Sequence, residues 1–429
     1  MSRLTVSPGA VLRGRISVPG DKSISHRALL LGALADGSSR ISGFLPSGDC
    51  RATLNCLRAL GVSIETHDPT TLTVHGRGPD GFTAPAAPLD CVRSGTTIRL
   101  LTGVLAGQRF TSTLSGDEQL LRRPMDRVVE PLRRMGADIE DTAGHAPLTV
   151  NGRPLHGTTH TLSIASAQVK SAILLAGLAA DGPTTVRQPG PARDHTERML
   201  AAMGTDIQSL EPAVTLWPGS RLAPVSMSIP GDASSAAFLL VAAALVPGSE
   251  VTVVGVGVNP TRTGLIDVLQ TMGATLSIDN ERTECGEPVG DVTIKASELR
   301  GATIEGDTVV RMIDEFPVLA VAATQAHGTT VVRDAEELRV KETDRIEGVV
   351  RELNALGAHI EPRDDGFVVE GPTPLRAGTA RSHGDHRLAM ALAVAGLVAD
   401  GDVVIHGMDC VGDSFPGFAP LMQALGARV

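Results

Sequence analysis

A short signature, in which a glycine follows Leu or Met at the end of a helix-like segment, recurs six times along the 429 residues. A second series of glycines, each after an Ala/Leu-rich segment and before a β-prone run, interleaves with it. Because glycine adopts left-handed backbone angles without a Cβ clash, it can end a helix and release the chain into a strand. The spacing predicts six repeats of about 72 residues. The two series are Gly61, Gly136, Gly204, Gly273, Gly357 and Gly426, and Gly37, Gly107, Gly182, Gly248, Gly328 and Gly401.

Each repeat contains two kinds of predicted helix. The first is built from small and apolar residues on every side, as in 28–34 and 388–397, which is typical of a buried helix. The second carries charge along one flank, as at Glu130 and Arg133, and is expected to be amphipathic and outer. Helices that alternate with strands indicate the α/β class.

Two near copies of one segment mark a division into domains. Pro19-Gly20-Asp21-Lys22-Ser23 and Pro230-Gly231-Asp232-Ala233-Ser234 each join a strand to a buried helix, with three repeats between them and three after. We therefore predict a discontinuous domain one at 1–20 and 230–429 and a domain two at 22–228. The hinge is expected at about 19–22 and 228–232.

Composition excludes several classes of protein. The net charge of −10 and the pI near 5.7 argue against a nucleic-acid-binding surface. The longest apolar run, residues 236–246, is shorter than the ~20 residues that a membrane span needs, and the N-terminus has no signal-like apolar core. No metal-ligand or phosphate-loop motif occurs, and the five cysteines are scattered. We expect a cytoplasmic, monomeric protein without metal or cofactor that binds neither nucleic acid nor membrane.

Polar and basic residues gather where the predicted helices begin. The N-terminus of a helix carries partial positive charge, so cations there are unfavourable unless an anion binds. Single Ser, Thr or Asp residues at these positions could be ordinary N-caps, but their recurrence in phase with the repeat favours anion binding. The segments are Asp21-Lys22-Ser23, Ser94-Gly95-Thr96, Arg122-Arg123-Pro124, Ser166-Ala167-Gln168, Arg193-Asp194-His195, Asp232-Ala233-Ser234, Ile313-Asp314-Glu315, Lys341-Glu342-Thr343-Asp344-Arg345 and Asp385-His386-Arg387.

Four titratable residues leave alternatives open at this point. Asp314 lies within the largely apolar run 309–320, where an unpaired carboxylate would be costly. It is therefore either capped and paired, or an acid/base group with a shifted pKa. His26, His195 and His386 could each be a hydrogen-bonded residue at the start of a helix.

The whole chain resembles the 5-enolpyruvylshikimate-3-phosphate (EPSP) synthase family. The resemblance implies two globular domains, each of three βαβαββ units arranged as an inside-out α/β barrel, with the active site in the interdomain cleft. It implies transfer of the enolpyruvyl group of phosphoenolpyruvate to the 5-hydroxyl of shikimate 3-phosphate, with release of phosphate. The motifs that carry it are Pro19-Gly20-Asp21-Lys22-Ser23-Ile24-Ser25-His26-Arg27, Ser94-Gly95-Thr96, Arg123-Pro124, Ser166-Ala167-Gln168, Arg339-Val340-Lys341-Glu342-Thr343-Asp344-Arg345 and Asp385-His386-Arg387.

The resemblance also implies roles for individual residues. Expected ligands of shikimate 3-phosphate are Lys22, Ser23, Arg27, Ser166, Ala167, Gln168, Arg193, Asp314 and Lys341. Expected ligands of phosphoenolpyruvate are Lys22, Gly95, Arg123, Gln168, Arg345 and Arg387. The chemistry requires an acid and a base. We hypothesise that Asp314 takes the proton of the 5-hydroxyl, while Lys22 and Glu342 exchange protons with the enolpyruvyl unit in a division that stays open.

The sequence departs from the pattern of the family at three places. Val92-Arg93 stands where members usually have Gly-Asn, Ala192 replaces a frequent Ser, and Asp413 lies in the stretch where many members have Lys. Arg93 could restore the positive charge that Asp413 lacks. The departures predict an altered phosphoenolpyruvate side and weaker binding of phosphonate inhibitors such as glyphosate.

Two other functions compete with this interpretation. The sister enolpyruvyl transferases that act on UDP-N-acetylglucosamine have Ala-Lys-Asn where this chain has Asp21-Lys22-Ser23, and they place a Cys on a loop that here, at 115–119, has none. A non-catalytic binding protein on the same scaffold is the second alternative.

Overall fold

The computed structural model describes residues 2–429, which form two compact units. Unit 1 contains the N-terminal segment up to Pro19, Gly231–Arg282 and Pro288–Val429. Unit 2 contains Gly20–Pro230 together with Thr283–Glu287. Neither the glycine spacing nor the two near-copied segments indicated that Thr283–Glu287 belongs to unit 2.

Fourteen α-helices occur in the described residues. They are α1 (Lys22–Leu34), α2 (Gly48–Ala59), α3 (Gly95–Ala106), α4 (Glu118–Leu121), α5 (Asp126–Arg134), α6 (Ala167–Gly177), α7 (His195–Ala202), α8 (Ala233–Leu245), α9 (Gly264–Thr271), α10 (Asp307–Arg311), α11 (Phe316–Gln325), α12 (Arg345–Ala355), α13 (His386–Leu397) and α14 (Phe418–Ala424). Two 3₁₀ turns span Glu336–Val340 and Met408–Asp413.

The strands are short. They are β1 (Arg3–Val6), β2 (Arg13–Ile16), β3 (Ser38–Ser42), β4 (Ser63–Asp68), β5 (Thr71–His75), β6 (Leu89–Asp90), β7 (Thr111–Ser115), β8 (Asp138–Thr142), β9 (His145–Asn151), β10 (Thr159–Thr161), β11 (Thr184–Arg187), β12 (Ile207–Leu210), β13 (Ala213–Leu216), β14 (Ser226–Ser228), β15 (Glu250–Gly257), β16 (Thr275–Glu284), β17 (Glu287–Lys295), β18 (Thr303–Ile304), β19 (Gly328–Val332), β20 (His359–Arg363), β21 (Gly366–Gly371), β22 (Gly378–Arg381) and β23 (Val403–His406).

These strands form six small sheets within residues 2–429, three in each unit. Unit 2 has the orders β14-β3-β5-β4, β6-β7-β9-β8 and β10-β11-β13-β12. Unit 1 has β16-β17-β15-β2, β18-β19-β21-β20 and the three-stranded β1-β23-β22. Every sheet combines one parallel pair with antiparallel pairing, as where β10 runs parallel to β11 while β13 is antiparallel to it. Six sheets correspond to the six predicted repeats.

The buried helices form the centre of each unit, as their composition predicted. In α8 and α13 nearly every residue is buried. Small residues allow these helices to approach closely: a Cβ placed on Gly103 of α3 would lie 2.2 Å from the carbonyl oxygen of Ala172 in α6. The chain therefore needs glycine there.

Candidate active site

Five of the six buried helices begin with a side-chain cap. Asp21, Ser94, Ser166, Asp232 and Asp385 each accept a hydrogen bond from a backbone N–H in the first turn of α1, α3, α6, α8 and α13. Such caps stabilise a protein by about 1 kcal/mol each. Part of the polar clustering seen in the sequence is thus ordinary capping. The sixth helix, α11, begins at Phe316, and the side chain of the preceding Glu315 makes no capping bond.

In unit 2, basic and amide side chains converge on the start of α3. A Cβ on Gly95 would lie 2.8 Å from Nη1 of Arg123 and 3.0 Å from Nη1 of Arg99. Arg99 donates to Oε1 of Gln168 at 2.6 Å, and Gln168 donates to the hydroxyl of Thr96 at 3.0 Å. The structure therefore brings Gly95, Arg123 and Gln168 together, as expected for ligands of one anion.

Arg123 differs from its neighbours in this cluster. Its Nε is buried and has no hydrogen-bond partner. A buried donor normally has a hydrogen-bond partner, because a buried donor without one costs about 1–3 kcal/mol of stability. An anion beside Gly95 would accept from this guanidinium and from the free N–H groups of the helix start.

Lys22 is held beside the same region by an ion pair. Its Nζ lies 2.9 Å from Oδ2 of Asp49 in α2, and both side chains are less than one-fifth exposed. Thr97 of α3 donates to the backbone carbonyl of Asp49 at 3.4 Å. The first residue of α1 is thereby linked through α2 to α3.

Arg27 is buried inside unit 2. Its Nε donates to Thr196 at 2.7 Å, Nη1 to the carbonyl of Ser23 at 2.9 Å, and Nη2 to Ser171 at 2.7 Å. Burial lowers the pKa of Arg27 to about 10, with Glu197 acting in the opposite direction. The group stays charged at neutral pH, and its predicted contact with shikimate 3-phosphate would use the remaining N–H bonds.

The remaining predicted residues of unit 2 lie at the starts of α6 and α7. Ser166 caps α6, Ala167 is its first residue, and Arg193 is a half-buried residue just before α7. Lys170 of α6 is buried, pairs with Glu197 at 2.5 Å and donates to the carbonyl of Ala192 at 3.4 Å.

Unit 1 contains a cluster of carboxylates around one buried guanidinium. Arg345, at the start of α12, has a side chain only 1% exposed. Its Nε lies 2.9 Å from Oδ2 of Asp385, its Nη2 lies 2.7 Å from Oε2 of Glu342, and its Nη1 lies 3.3 Å from Oδ1 of Asp314. Arg387 lies 3.6 Å from the same oxygen of Asp314. Four residues predicted from the sequence thus meet here.

Burial and charge act in opposite directions on this cluster. Burial disfavours the charged form of Arg345, but Asp385, Glu342 and Asp314 outweigh it and raise the pKa of the guanidinium. Burial acts to raise the pKa of Asp385. The charge of Arg345 acts in the opposite direction and prevails, so the pKa of Asp385 is lowered. Lys341 has a lowered pKa because of burial, opposed by Asp314 and Glu337. A lowered lysine pKa favours proton exchange.

Asp314 is paired with Arg345 and Arg387, and its role as an acid/base group stays a prediction. The three histidines lie at helix starts. His26 is buried with a pKa lowered to about 3, chiefly by burial, and its Nδ1 lies 2.7 Å from the hydroxyl of Thr53. His195 pairs with Glu287 at 2.8 Å, and His386 is buried as the first residue of α13.

Sequence reasoning missed Arg99 and Asp385 as site residues. Arg99 lies four residues after Gly95, so it faces the same side of α3 one turn later. Asp385 belongs to the motif Asp385-His386-Arg387, but an Asp in that place is also an ordinary N-cap of a helix. Its Oδ1 accepts from the N–H of Arg387 at 2.8 Å while its Oδ2 pairs with Arg345. One carboxylate thus pairs with the Arg345 side chain and fixes the backbone at Arg387.

Two of the unusual residues have specific local settings. Arg93 pairs with Asp117 at 2.8 Å, and both side chains are partly exposed. Asp413 ends the 3₁₀ turn Met408–Asp413 and is half-buried. Weaker glyphosate binding stays a prediction.

Val92 has a φ of +52°, in the left-handed region that β-branched residues disfavour. We expect Val92→Gly to raise the free energy of unfolding by about 1 kcal/mol, since a left-handed L-residue costs about 1–2 kcal/mol and added chain entropy offsets part of the gain. Urea unfolding measures the change. Val11→Gly is the matched control, because Val11 is similarly exposed but has no positive φ, and it should not stabilise. Equal effects of both variants would contradict the strain.

Within residues 2–429, no group of three or more His, Cys, Asp or Glu side chains is arranged to hold a metal ion. The helices of the same range include none that is long and apolar enough to span a bilayer.

Each of the two α/β units combines three small sheets with guanidinium groups or carboxylates at helix starts, an arrangement suited to small charged ligands. The profile of the EPSP synthase (3-phosphoshikimate 1-carboxyvinyltransferase) family matches residues 6–422. The chain belongs to this family.

Individual relatives agree with the family match. A 3-phosphoshikimate 1-carboxyvinyltransferase of Herpetosiphon aurantiacus is 54% identical over 419 residues, covering 96% of this chain and 97% of the relative. One from Geobacter metallireducens is 51% identical over 430 residues, with complete coverage of both. The solved EPSP synthase of Acinetobacter baumannii superposes with a TM-score of 0.90 at 44% identity, covering 99% of this chain and 98% of that one.

A more distant solved structure shares the fold alone. The enolpyruvyl transferase NikO of Streptomyces tendae has a TM-score of 0.81 at 21% identity, and the match covers 99% of this chain and 98% of that one. The predicted family and the predicted inside-out α/β fold with six repeats are therefore confirmed.

Proposed function

We propose that this protein transfers the enolpyruvyl group of phosphoenolpyruvate to the 5-hydroxyl of shikimate 3-phosphate and releases phosphate. It is a transferase of the shikimate pathway, which supplies aromatic amino acids. Support comes from full-length relatives of that name and from the basic side chains gathered at the start of α3. Its cytoplasmic location and monomeric state stay predictions from the sequence.

The reaction needs addition followed by elimination. The 5-hydroxyl oxygen bonds to C2 of phosphoenolpyruvate as C3 gains a proton, which gives a tetrahedral intermediate. This intermediate then loses phosphate from C2 and a proton from the new methyl group, and the enolpyruvyl ether remains. Each stage moves one proton on and one proton off, so an acid and a base must both be held near the reacting carbons.

Residues of unit 1 supply groups for the proton transfers. Asp314 is a carboxylate held by Arg345 and Arg387 and only partly buried, so it can take the proton of the 5-hydroxyl. Glu342, fixed by Arg345, exchanges protons with C3. The same role for Lys22 stays a prediction from the sequence. Arg345 and Arg387 stay the predicted ligands of the phosphoenolpyruvate carboxylate. Asp385 pairs with the Arg345 side chain and accepts from the backbone N–H of Arg387.

Residues of unit 2 supply the phosphate contacts. Arg123, Gly95, Gln168 and Lys22 bind the phosphate of phosphoenolpyruvate, while Lys22, Ser23, Arg27, Ser166, Ala167, Gln168 and Arg193 contact shikimate 3-phosphate. The observation that carries this assignment is the unpartnered buried Nε of Arg123 against the start of α3. It is the donor in this cluster that most requires an anion.

Replacing Arg123 tests the assignment. We expect Arg123→Met to raise the KM for phosphoenolpyruvate at least about tenfold, because a hydrogen bond to a charged group contributes about 1.5–3 kcal/mol. The measurement is steady-state phosphate release with shikimate 3-phosphate saturating.

Arg122→Met is the matched control. Arg122 is the preceding residue, its side chain is 73% exposed, and it pairs with Glu118 at the surface, so its loss should change KM less than twofold. An equal effect of the two variants, or an unchanged KM in Arg123→Met, would contradict the phosphate site.

A further inference from the structure

The turn that carries Asp314 ends in a residue whose side chain faces the interior of unit 1. Glu315 precedes α11 and is only 2% exposed. Its N–H donates to the carbonyl of Met312 at 2.9 Å, and its own carbonyl accepts from the N–H of Leu319 at 2.9 Å. The backbone on both sides of Asp314 is therefore bound into the turn and the first turn of α11.

The Glu315 carboxylate enters a buried polar cluster instead of capping its own helix. The hydroxyl of Ser234 donates to Oε1 of Glu315. Arg262 donates through Nη2 to Ser234 at 2.8 Å and to Oδ1 of Asp232 at 3.0 Å. Asp232 in turn caps α8 by accepting from the N–H of Ser234. All four residues are at least nine-tenths buried.

Burying one arginine with two carboxylates costs desolvation energy, which needs a compensating set of hydrogen bonds. Replacement of such a cluster by apolar residues is often neutral for stability, so its presence beside Asp314 calls for a use other than stability. The cluster joins the starts of α8 and α11 and the segment before α9. It thereby fixes the orientation of the 312–315 turn, which carries Asp314.

We propose that Glu315 is a positioning residue, which holds Asp314 in its place beside Arg345 and Arg387 through Ser234 and Arg262. This inference rests on the proposed function, in which Asp314 is the base. Adjacent side chains of the turn face different sides: Glu315 contacts Ser234, while Asp314 contacts Arg345 at 3.3 Å. Release of the Glu315 anchor lets the turn rotate, and a displacement of about 1 Å can cost about 100-fold in rate.

The test is a double-mutant cycle on kcat with Glu315→Gln and Asp314→Asn. A positioning residue acts only through the group that it positions. We therefore expect Glu315→Gln to lower kcat about tenfold in the wild-type background, with both KM values changed less than twofold, and to have less than a twofold effect in the Asp314→Asn background. Such non-additivity is what residues acting as one unit show.

A second variant and a control variant complete the test. Ser234→Ala removes one hydroxyl of the cluster and should lower kcat about threefold, again only when Asp314 is present. This variant serves as the test if Glu315→Gln folds poorly. Thr330→Val is the matched control, because its hydroxyl is buried in the same unit without a partner, and it should leave kcat unchanged.

The outcomes separate the inference from the proposed function. Equal fold-losses in both backgrounds, or a wild-type kcat in both Glu315→Gln and Ser234→Ala, would overturn the positioning role while the function stands. Absence of turnover by the unmodified protein would overturn the proposed function and this inference with it.

Discussion

Asp314→Asn is expected to lower kcat for enolpyruvyl transfer at least about 100-fold, because an amide of the same shape cannot accept the proton of the 5-hydroxyl. The KM values should change much less, since the arginines that bind the substrate carboxylate are retained. Initial rates of phosphate release at saturating substrates measure the loss, and single-turnover measurements separate chemistry from product release.

Asp307→Asn provides the control for this charge change. Asp307 lies in the same unit as an exposed residue at the start of α10. Its replacement removes the same charge outside the cluster and should leave kcat within about twofold. A normal kcat in Asp314→Asn would remove Asp314 from the chemistry.

Arg345→Met is expected to be the most destabilising single change, by about 3–5 kcal/mol, because it leaves buried carboxylates without their cation. Asp385 is fully buried and Glu342 and Asp314 are partly buried, and all three pair with this guanidinium. Urea unfolding gives the loss as a shift of midpoint. Arg351→Met on the same helix is the control, since its ion pair with Glu352 is 59% exposed on the arginine side and should contribute only about 0–1 kcal/mol.

The pH dependence of this effect has a defined sign. In the wild type the pKa of Asp385 is below its ordinary value, so the pair with Arg345 stabilises the fold above the pKa of an unfolded aspartate. That contribution is lost as pH falls through the lower folded value. In Arg345→Met, burial alone would raise the pKa of Asp385, so its ionised form destabilises the fold and protonation relieves it. The stability difference between the two proteins should therefore shrink in acid, and a difference independent of pH would contradict the pair.

The first series of six glycines could be predicted from the sequence because a left-handed stop at a helix end is a local requirement. Gly61 and Gly136 have φ values of +85° and +94°, as an αL helix stop demands. In the second series Gly107, Gly182 and Gly401 have no positive φ, so the expectation that they act as left-handed stops was wrong. Gly103 is different: only the packing of α3 on α6 explains it, and that contact depends on tertiary structure.

The candidate site was predictable where a residue belongs to a recurring motif, as with Gly95 and Arg345. Arg99 and Glu315 were not singled out, because their importance depends on which side chains meet across elements distant in sequence. Glu315 in particular sits next to Asp314 in the chain but acts through Ser234, 81 residues earlier. The assignment of Thr283–Glu287 to unit 2 likewise follows from packing and from the His195–Glu287 pair, which no local pattern indicates.

Phosphate release from phosphoenolpyruvate, measured with and without shikimate 3-phosphate, tests the central claim most directly. We predict rapid release that depends strictly on shikimate 3-phosphate and that is matched one to one by an enolpyruvyl ether at its 5-oxygen. UDP-N-acetylglucosamine in place of shikimate 3-phosphate should support no release. Release that requires the nucleotide sugar instead, or no release with either acceptor by the folded protein, would contradict the account.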